Sequence, residues 1–234
     1  MSNLFDEVRT ACQAVAEQAT HVHVQPQRVP TYAASLPLQA LARFGRWDDV
    51  LAEPPPDARL RATTAMWHYA RGLAFAARGR VADAEGARLA FVSAVVAVPP
   101  ETTWFNNRAL DVLAIARDVL DASIAQRRGD LVGAAAALRR GVSAEDALRY
   151  DEPSDWAQQP VRQRLGALLL DGGRAEEAEA VFREDLRRNP GNGWSLRGLE
   201  LALRARGAPE AEDVARRFRT AWARADVSLP SSTF

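Results

Sequence analysis

The chain has 234 residues, 47% of them apolar, and its 30 basic residues balance its 30 acidic residues, so the net charge at pH 7 is zero. This composition favours a folded, mainly helical protein and gives no general attraction to nucleic acid. All basic residues are arginine, which excludes lysine Schiff-base and phosphate-loop lysine chemistry; the single cysteine, Cys12, excludes an internal disulfide and a cysteine-rich zinc site.

The first segment, 1–24, is predicted as a flanking helix followed by a linker. Apolar residues from Leu4 to Ala16 follow helical spacing, and residues 20–30 alternate His with Val before two prolines. We expect no secretory signal here, because no basic stretch precedes an apolar core. No apolar run approaches the ~18 residues needed to cross a bilayer, so a cytoplasmic protein without membrane contact is expected.

Five short runs of similar composition, each opening on a glycine, punctuate the rest of the chain. The intervals between these glycines are 34, 50, 44 and 34 residues. A glycine that ends a helix takes the left-handed conformation and closes the helix C-terminus, so each run predicts the turn of a helix hairpin. A 34-residue period is typical of stacked hairpins that share a core. The turn glycines are Gly45, Gly79, Gly129, Gly173 and Gly207.

Positions counted from each glycine predict how the helices pack. Four residues earlier the side chain is apolar in every hairpin, and seven residues earlier it is mostly small, as close helix approach requires. Five residues later it is small or apolar except at Glu212, where a one-residue shift to Ala211 restores the pattern. The three sets are Leu41, Phe75, Ala125, Leu169 and Leu203; Leu38, Gly72, Ala122, Gly166 and Glu200; and Val50, Ala84, Ala134 and Ala178.

One segment, 159–191, resembles a tetratricopeptide repeat closely. It carries the favoured residues Leu165, Gly166, Leu169, Gly173, Ala178, Phe182 and Pro190. Over residues 31–226 the chain is similar to the C-terminal portion of bacterial tetratricopeptide-repeat proteins, longer examples of which carry further repeats upstream. The resemblance implies an all-α, TPR-like alpha-alpha superhelix (solenoid) of about five hairpins across 25–226, with a tail at 227–234. It also implies a protein-binding scaffold whose first helices line a concave groove.

The candidate partner-binding residues come from that groove and from the two long intervals. By repeat position the groove receives polar, aromatic and small residues, of which Arg43 and Arg127 are candidates for contacting an acidic group. They are Tyr32, Ser35, Gln39, Arg43, Met66, Tyr69, Leu73, Val119, Ser123, Gln126, Arg127, Gln163, Ala167 and Asp171. The insertions in the long intervals contribute tryptophans beside polar residues, a pattern typical of binding hot spots. These residues are Trp104, Asn106, Asn107, Tyr150, Asp151 and Trp156. The competing interpretation is that the tryptophan rings close the gaps where the repeats are irregular.

Two alternatives to peptide binding stay open. His21 and His23, with His68, are candidate metal ligands, and Tyr32, Trp67 and Tyr69 a candidate small-molecule region; solvent-facing histidines in a linker are the competing interpretation. The second alternative is a homodimer that forms through the end helices, around Phe218 and Trp222. No nucleophile and base lie at a recognisable spacing, so a non-enzymatic function without a cofactor is favoured.

Overall fold

A computed structural model describes residues 35–149, 156 and 160–234. Most of these residues are helical, and the strands among them form one short β-hairpin. The predicted N-terminal helix and linker lie outside the described residues. The ten helices of the described part are α1 (Leu36–Arg43), α2 (Trp47–Ala52), α3 (Arg61–Ala77), α4 (Val81–Val96), α5 (Ala109–Arg127), α6 (Leu131–Asp146), α7 (Val161–Asp171), α8 (Ala175–Arg188), α9 (Gly193–Ala205) and α10 (Ala211–Ala221).

The helices form five successive pairs, and each pair turns at one of the predicted glycines. All five glycines have a positive φ, between 65° and 82°. At the second turn the amide of Arg80 donates to the carbonyl of Phe75 (2.9 Å), and the amide of Gly79 donates to the carbonyl of Ala76 (2.9 Å). The same two bonds recur at the other four turns. They satisfy carbonyls that the end of a helix leaves unpaired, so the predicted glycine caps are confirmed.

The predicted packing positions are buried. All five residues seven positions before the turn glycines are buried, and at Gly72 an added Cβ would lie 2.7 Å from a methyl carbon of Leu120. Five positions after the first four glycines, every side chain is fully buried. In the last pair Glu212 is exposed and Ala211 is buried, which confirms the one-residue shift.

The contacts divide the chain into two compact units, unit 1 (Met1–Gln158) and unit 2 (Gln159–Phe234), at a boundary inside the predicted 25–226 domain. Within unit 1, α3 packs on both α1 and α2, and α5 packs on both α3 and α4. Within unit 2, α9 packs on both α7 and α8. In each unit, therefore, the first helix of a pair contacts both helices of the pair before it, as stacked hairpins must if neighbours supply the core.

Phe182 is the centre of the core of unit 2. Its side chain on α8 is fully buried between Gly166 on α7 and Gly198 on α9. A Cβ built on either glycine would lie 2.3 Å from the ring. Three helices converge on this ring because two of them carry no side chain at the point of contact.

The first long interval holds a short antiparallel hairpin, β1 (Thr103–Trp104) and β2 (Asn107–Arg108), which pairs Trp104 with Asn107. The sequence predicts a helix start at Thr102 or Thr103, but α5 begins only at Ala109. That prediction is wrong because the backbone reverses at Phe105, whose φ is 49°. The reversal pairs two strands in place of the first helical turn and buries Trp104 completely.

Candidate partner-binding face

In unit 1, two of the predicted partner-binding residues lie against each other. The ring centroids of Tyr69 and Trp156 are 5.9 Å apart, and both side chains are almost fully buried. Phe91 of α4 lies on the same tyrosine, at 6.5 Å. The insertion that follows α6 thus places an aromatic ring on α3, at a position that the sequence assigns to the groove.

The other insertion is fixed by Asn107. Its amide nitrogen donates to the carbonyl of Arg149 (3.1 Å), and its amide oxygen accepts from the amide of Arg149 (2.8 Å). Asn107 is buried, while Asn106 is exposed at the turn of the hairpin. The two-point bond ties β2 to Arg149, three residues after the end of α6, although 42 positions separate the two partners.

The remaining predicted site residues differ in exposure. Gln39 is buried, and its amide donates to the hydroxyl of Ser35 (2.7 Å). Arg43 is half-buried and Arg127 is exposed, each in the last turn of its helix. Tyr32, Tyr150 and Asp151 lie outside the described residues. For all of these residues a role in partner binding stays a prediction.

Trp67 and Tyr69, the described residues of the small-molecule alternative, contact different parts of the chain. The Trp67 indole nitrogen donates to the carbonyl of Glu53 (3.1 Å), and the Arg71 guanidinium lies 4.6 Å from its ring centroid. Tyr69 packs on Phe91 instead, since residues two apart on a helix point in different directions.

His68 is the one histidine that the structure describes. Burial, and then the positive charge of Arg71, hold its pKa below the usual 6.5, so the ring is neutral at pH 7. Among the described residues no group of three or more His, Cys, Asp and Glu side chains is placed to hold a metal ion. His21 and His23 lie outside the described residues.

In unit 2 the chain lays its own segment 227–234 on α7 and α9. Arg197 of α9 donates to the carbonyl of Leu229 (3.1 Å), and the Ser232 hydroxyl donates to the carbonyl of Gln163 on α7 (2.8 Å). The ring of Phe234 lies edge-on to Trp194, with centroids 5.5 Å apart. Leu229 and Ser232 are buried. We call this surface of α7 and α9 the tail face.

The tail face has the same position in the repeat as the predicted groove. Gln163 and Arg197 both lie ten residues before a turn glycine, as Tyr69 does in unit 1. Gln163 is a predicted groove residue, and its fully buried amide donates to Asn192 (3.2 Å) and Ser195 (3.2 Å) of the next pair. The repeat register therefore finds this surface, but no signal in the sequence shows that residues 227–234 cover it.

The end-helix surface predicted for a homodimer is packed within unit 2. Trp222 stacks on Phe218 (5.9 Å) and meets Trp194 edge-on (5.5 Å). Its indole nitrogen donates to the carbonyl of Val227 (2.8 Å). Both rings are half-buried. Residues of the same chain thus contact much of the surface that the dimer hypothesis needs, and the dimer stays a prediction.

No family, no curated protein and no solved structure matches this chain. The resemblance to tetratricopeptide repeats therefore stays a prediction from the sequence. Throughout the described ranges, each helix is too short or too polar to cross a bilayer.

Proposed function

We propose that the chain is a non-enzymatic scaffold of the tetratricopeptide type, which binds a segment of another protein on the first helices of its hairpins. Five helix pairs with identical glycine caps support this proposal. So does the order of contacts within each unit, in which successive first helices lie side by side. Side by side, these helices present a continuous face to a bound chain.

The observation that carries the proposal is the tail face. There a non-helical segment lies on α7 and α9, held by side chains of α9, by a backbone carbonyl of α7 and by its own side chains. A surface that accepts one non-helical segment has the hydrogen-bonding groups and the aromatic ring that recognition of another would need. In unit 1, Trp156 lies on Tyr69 at the equivalent position of the repeat.

Photo-crosslinking in the native cells tests the proposal. A photoreactive amino acid is placed at Leu201, which is half-buried six residues before Gly207, and in a second variant at the exposed Arg127. The control carries it at Val132, which is 80% exposed but lies at the start of the second helix α6. We expect a discrete protein adduct from Leu201 or Arg127 and none from Val132.

A protein found in this way is then purified and its affinity for the intact chain measured. The proposal requires that Arg197→Ala weakens binding to Leu201-crosslinked partners by about tenfold, as expected for one hydrogen bond from a charged donor. Adducts at all three positions alike, or at none of them, would refute a binding face on the first helices.

A further inference from the structure

We propose that residues 227–234 act as the chain's own substitute for the partner, covering the tail face until a similar segment displaces them. The displacing segment is non-helical and has no charged side chain, with a leucine followed five residues later by an aromatic residue. This inference rests on the proposed function and names the chemical class of the partner.

The contacts divide into backbone recognition and side-chain recognition. Arg197 and Trp222 donate to the carbonyls of Leu229 and Val227, bonds to the backbone that do not depend on the identity of those two side chains. Selectivity comes from the segment's own side chains. Leu229 is 5% exposed, Ser232 is fully buried, and Phe234 packs on Trp194. A displacing segment must supply these three side chains or close equivalents.

The arginine that meets the segment is already ion-paired. Arg197 is already paired with Glu200, at 2.8 Å, and the Glu200 side chain is only 7% exposed. Arg204 pairs with the other oxygen of the same carboxylate, at 2.9 Å. Glu200 thus shares its one negative charge between two arginines, and the Arg197 guanidinium also donates to the carbonyl of Leu229. No residue of 227–234 carries a charged side chain, so a displacing segment of the same kind carries none.

The attachment is also suited to exchange. Residues 227–234 make no backbone-to-backbone hydrogen bond with any described part of the chain. Their release breaks the bonds made by Arg197, Trp222 and Ser232, and it leaves the hydrogen bonds of every helix intact. Such a segment can open without unfolding the helices that carry it.

The test uses a fluorescent peptide with the sequence of residues 227–234 and the full-length chain. In a loosened variant, Leu229→Asp with Phe234→Ala, a buried charge and a lost ring release the chain's own segment. If that segment covers the face for 90–99% of the time, the peptide binds the loosened variant about 10- to 100-fold more tightly than the unaltered chain. A peptide of the same composition in scrambled order should bind neither.

Two arginines on α9 provide a matched control within the loosened variant. Both contact Glu200, but only Arg197 reaches the segment. Arg197→Ala should weaken peptide binding by about tenfold, whereas Arg204→Ala should leave it unchanged. Equal effects of the two substitutions, or no binding to a loosened variant that retains its helical circular dichroism, would overturn the proposal.

A second measurement does not depend on the loosened variant. Excess isotopically labelled peptide should accelerate hydrogen exchange in residues 227–234 of the unaltered chain and leave α7 and α9 protected. If the exchange is not accelerated, the proposal is overturned. A dimer detected by light scattering, in which two copies exchange this segment, overturns it as well. A partner adduct at Leu201 without peptide binding overturns this inference alone. Peptide binding without any adduct at Leu201 or Arg127 overturns the proposed function, and with it the partner named here.

Discussion

Replacing Gly166 by alanine tests how the core of unit 2 is packed. The new Cβ would lie 2.3 Å from the Phe182 ring, more than an ångström closer than the ordinary carbon–carbon contact of about 3.5 Å. A ring at the end of a side chain usually relieves such a contact by turning away. Here Gly198 restricts that movement, because a Cβ built on it would also lie 2.3 Å from the ring.

The expected loss follows from two opposing effects. Overpacking a close-packed core costs about 1–3 kcal/mol, and the trapped ring places this site at the upper end. Alanine in place of glycine stabilises a helix by about 1 kcal/mol. Gly166→Ala should therefore lower the free energy of unfolding of unit 2 by about 1–2 kcal/mol.

Gly86 provides the matched control. It lies in the interior of α4, is exposed, and has nothing within 4 Å of the position of an added Cβ. Gly86→Ala should raise the stability of its helix by about 0.5–1 kcal/mol.

Urea unfolding followed by circular dichroism, with hydrogen exchange to assign the change to a helix, measures both glycine variants. Adding Phe182→Leu to Gly166→Ala should recover part of the loss, since the smaller side chain vacates the contact and neighbouring sites are coupled. If Gly166→Ala is as stable as the unaltered chain, the account of a ring clamped between two glycines is wrong.

Three further predictions concern a turn, an insertion and a titration. Gly173 has φ 72° and open space around it, so Gly173→Ala should lower the free energy of unfolding in urea by about 1–2 kcal/mol through backbone strain alone. Gly173→Asn should lower it less, and equal losses would contradict this cause. Asn107→Ala should cost about 1–3 kcal/mol and accelerate hydrogen exchange at the amide of Arg149, which donates to it; an unchanged exchange rate would contradict the two-point bond. The pKa of His68 is lowered in the folded chain. Its contribution to stability is therefore complete above pH 6.5 and declines as pH falls through the folded pKa. His68→Gln should make the urea midpoints between pH 7 and 5 less dependent on pH, and an unchanged slope would refute this contribution.

Local patterns account for what could be predicted from the sequence. The five glycine caps were predictable because the bonds that close each helix join residues no more than five apart. The buried positions around each turn follow from the same short spacing, including the shift from Glu212 to Ala211. These features depend on backbone sterics and helix periodicity, which a single sequence carries in full.

The candidate site could be predicted only in part. The repeat register places Gln163 and Tyr69 on the first-helix face, but Ser232 and Trp156, which lie against them, come from non-helical segments. Non-helical segments have no period to follow. Trp104 and Trp156, which the sequence predicts as partner-binding residues, are buried, and Trp156 packs on Tyr69 of α3.

Helix pairs, their glycine turns and the face each helix buries were determined by the sequence itself, because short-range sterics and apolar periodicity act within one hairpin. Only the tertiary structure decided that residues 227–234 cover α7 and α9. The hydroxyl of Ser232 and the carbonyl of Gln163 belong to residues 69 positions apart. Such a contact depends on where the intervening helices bring the chain, a property of their packing together and not of any local pattern.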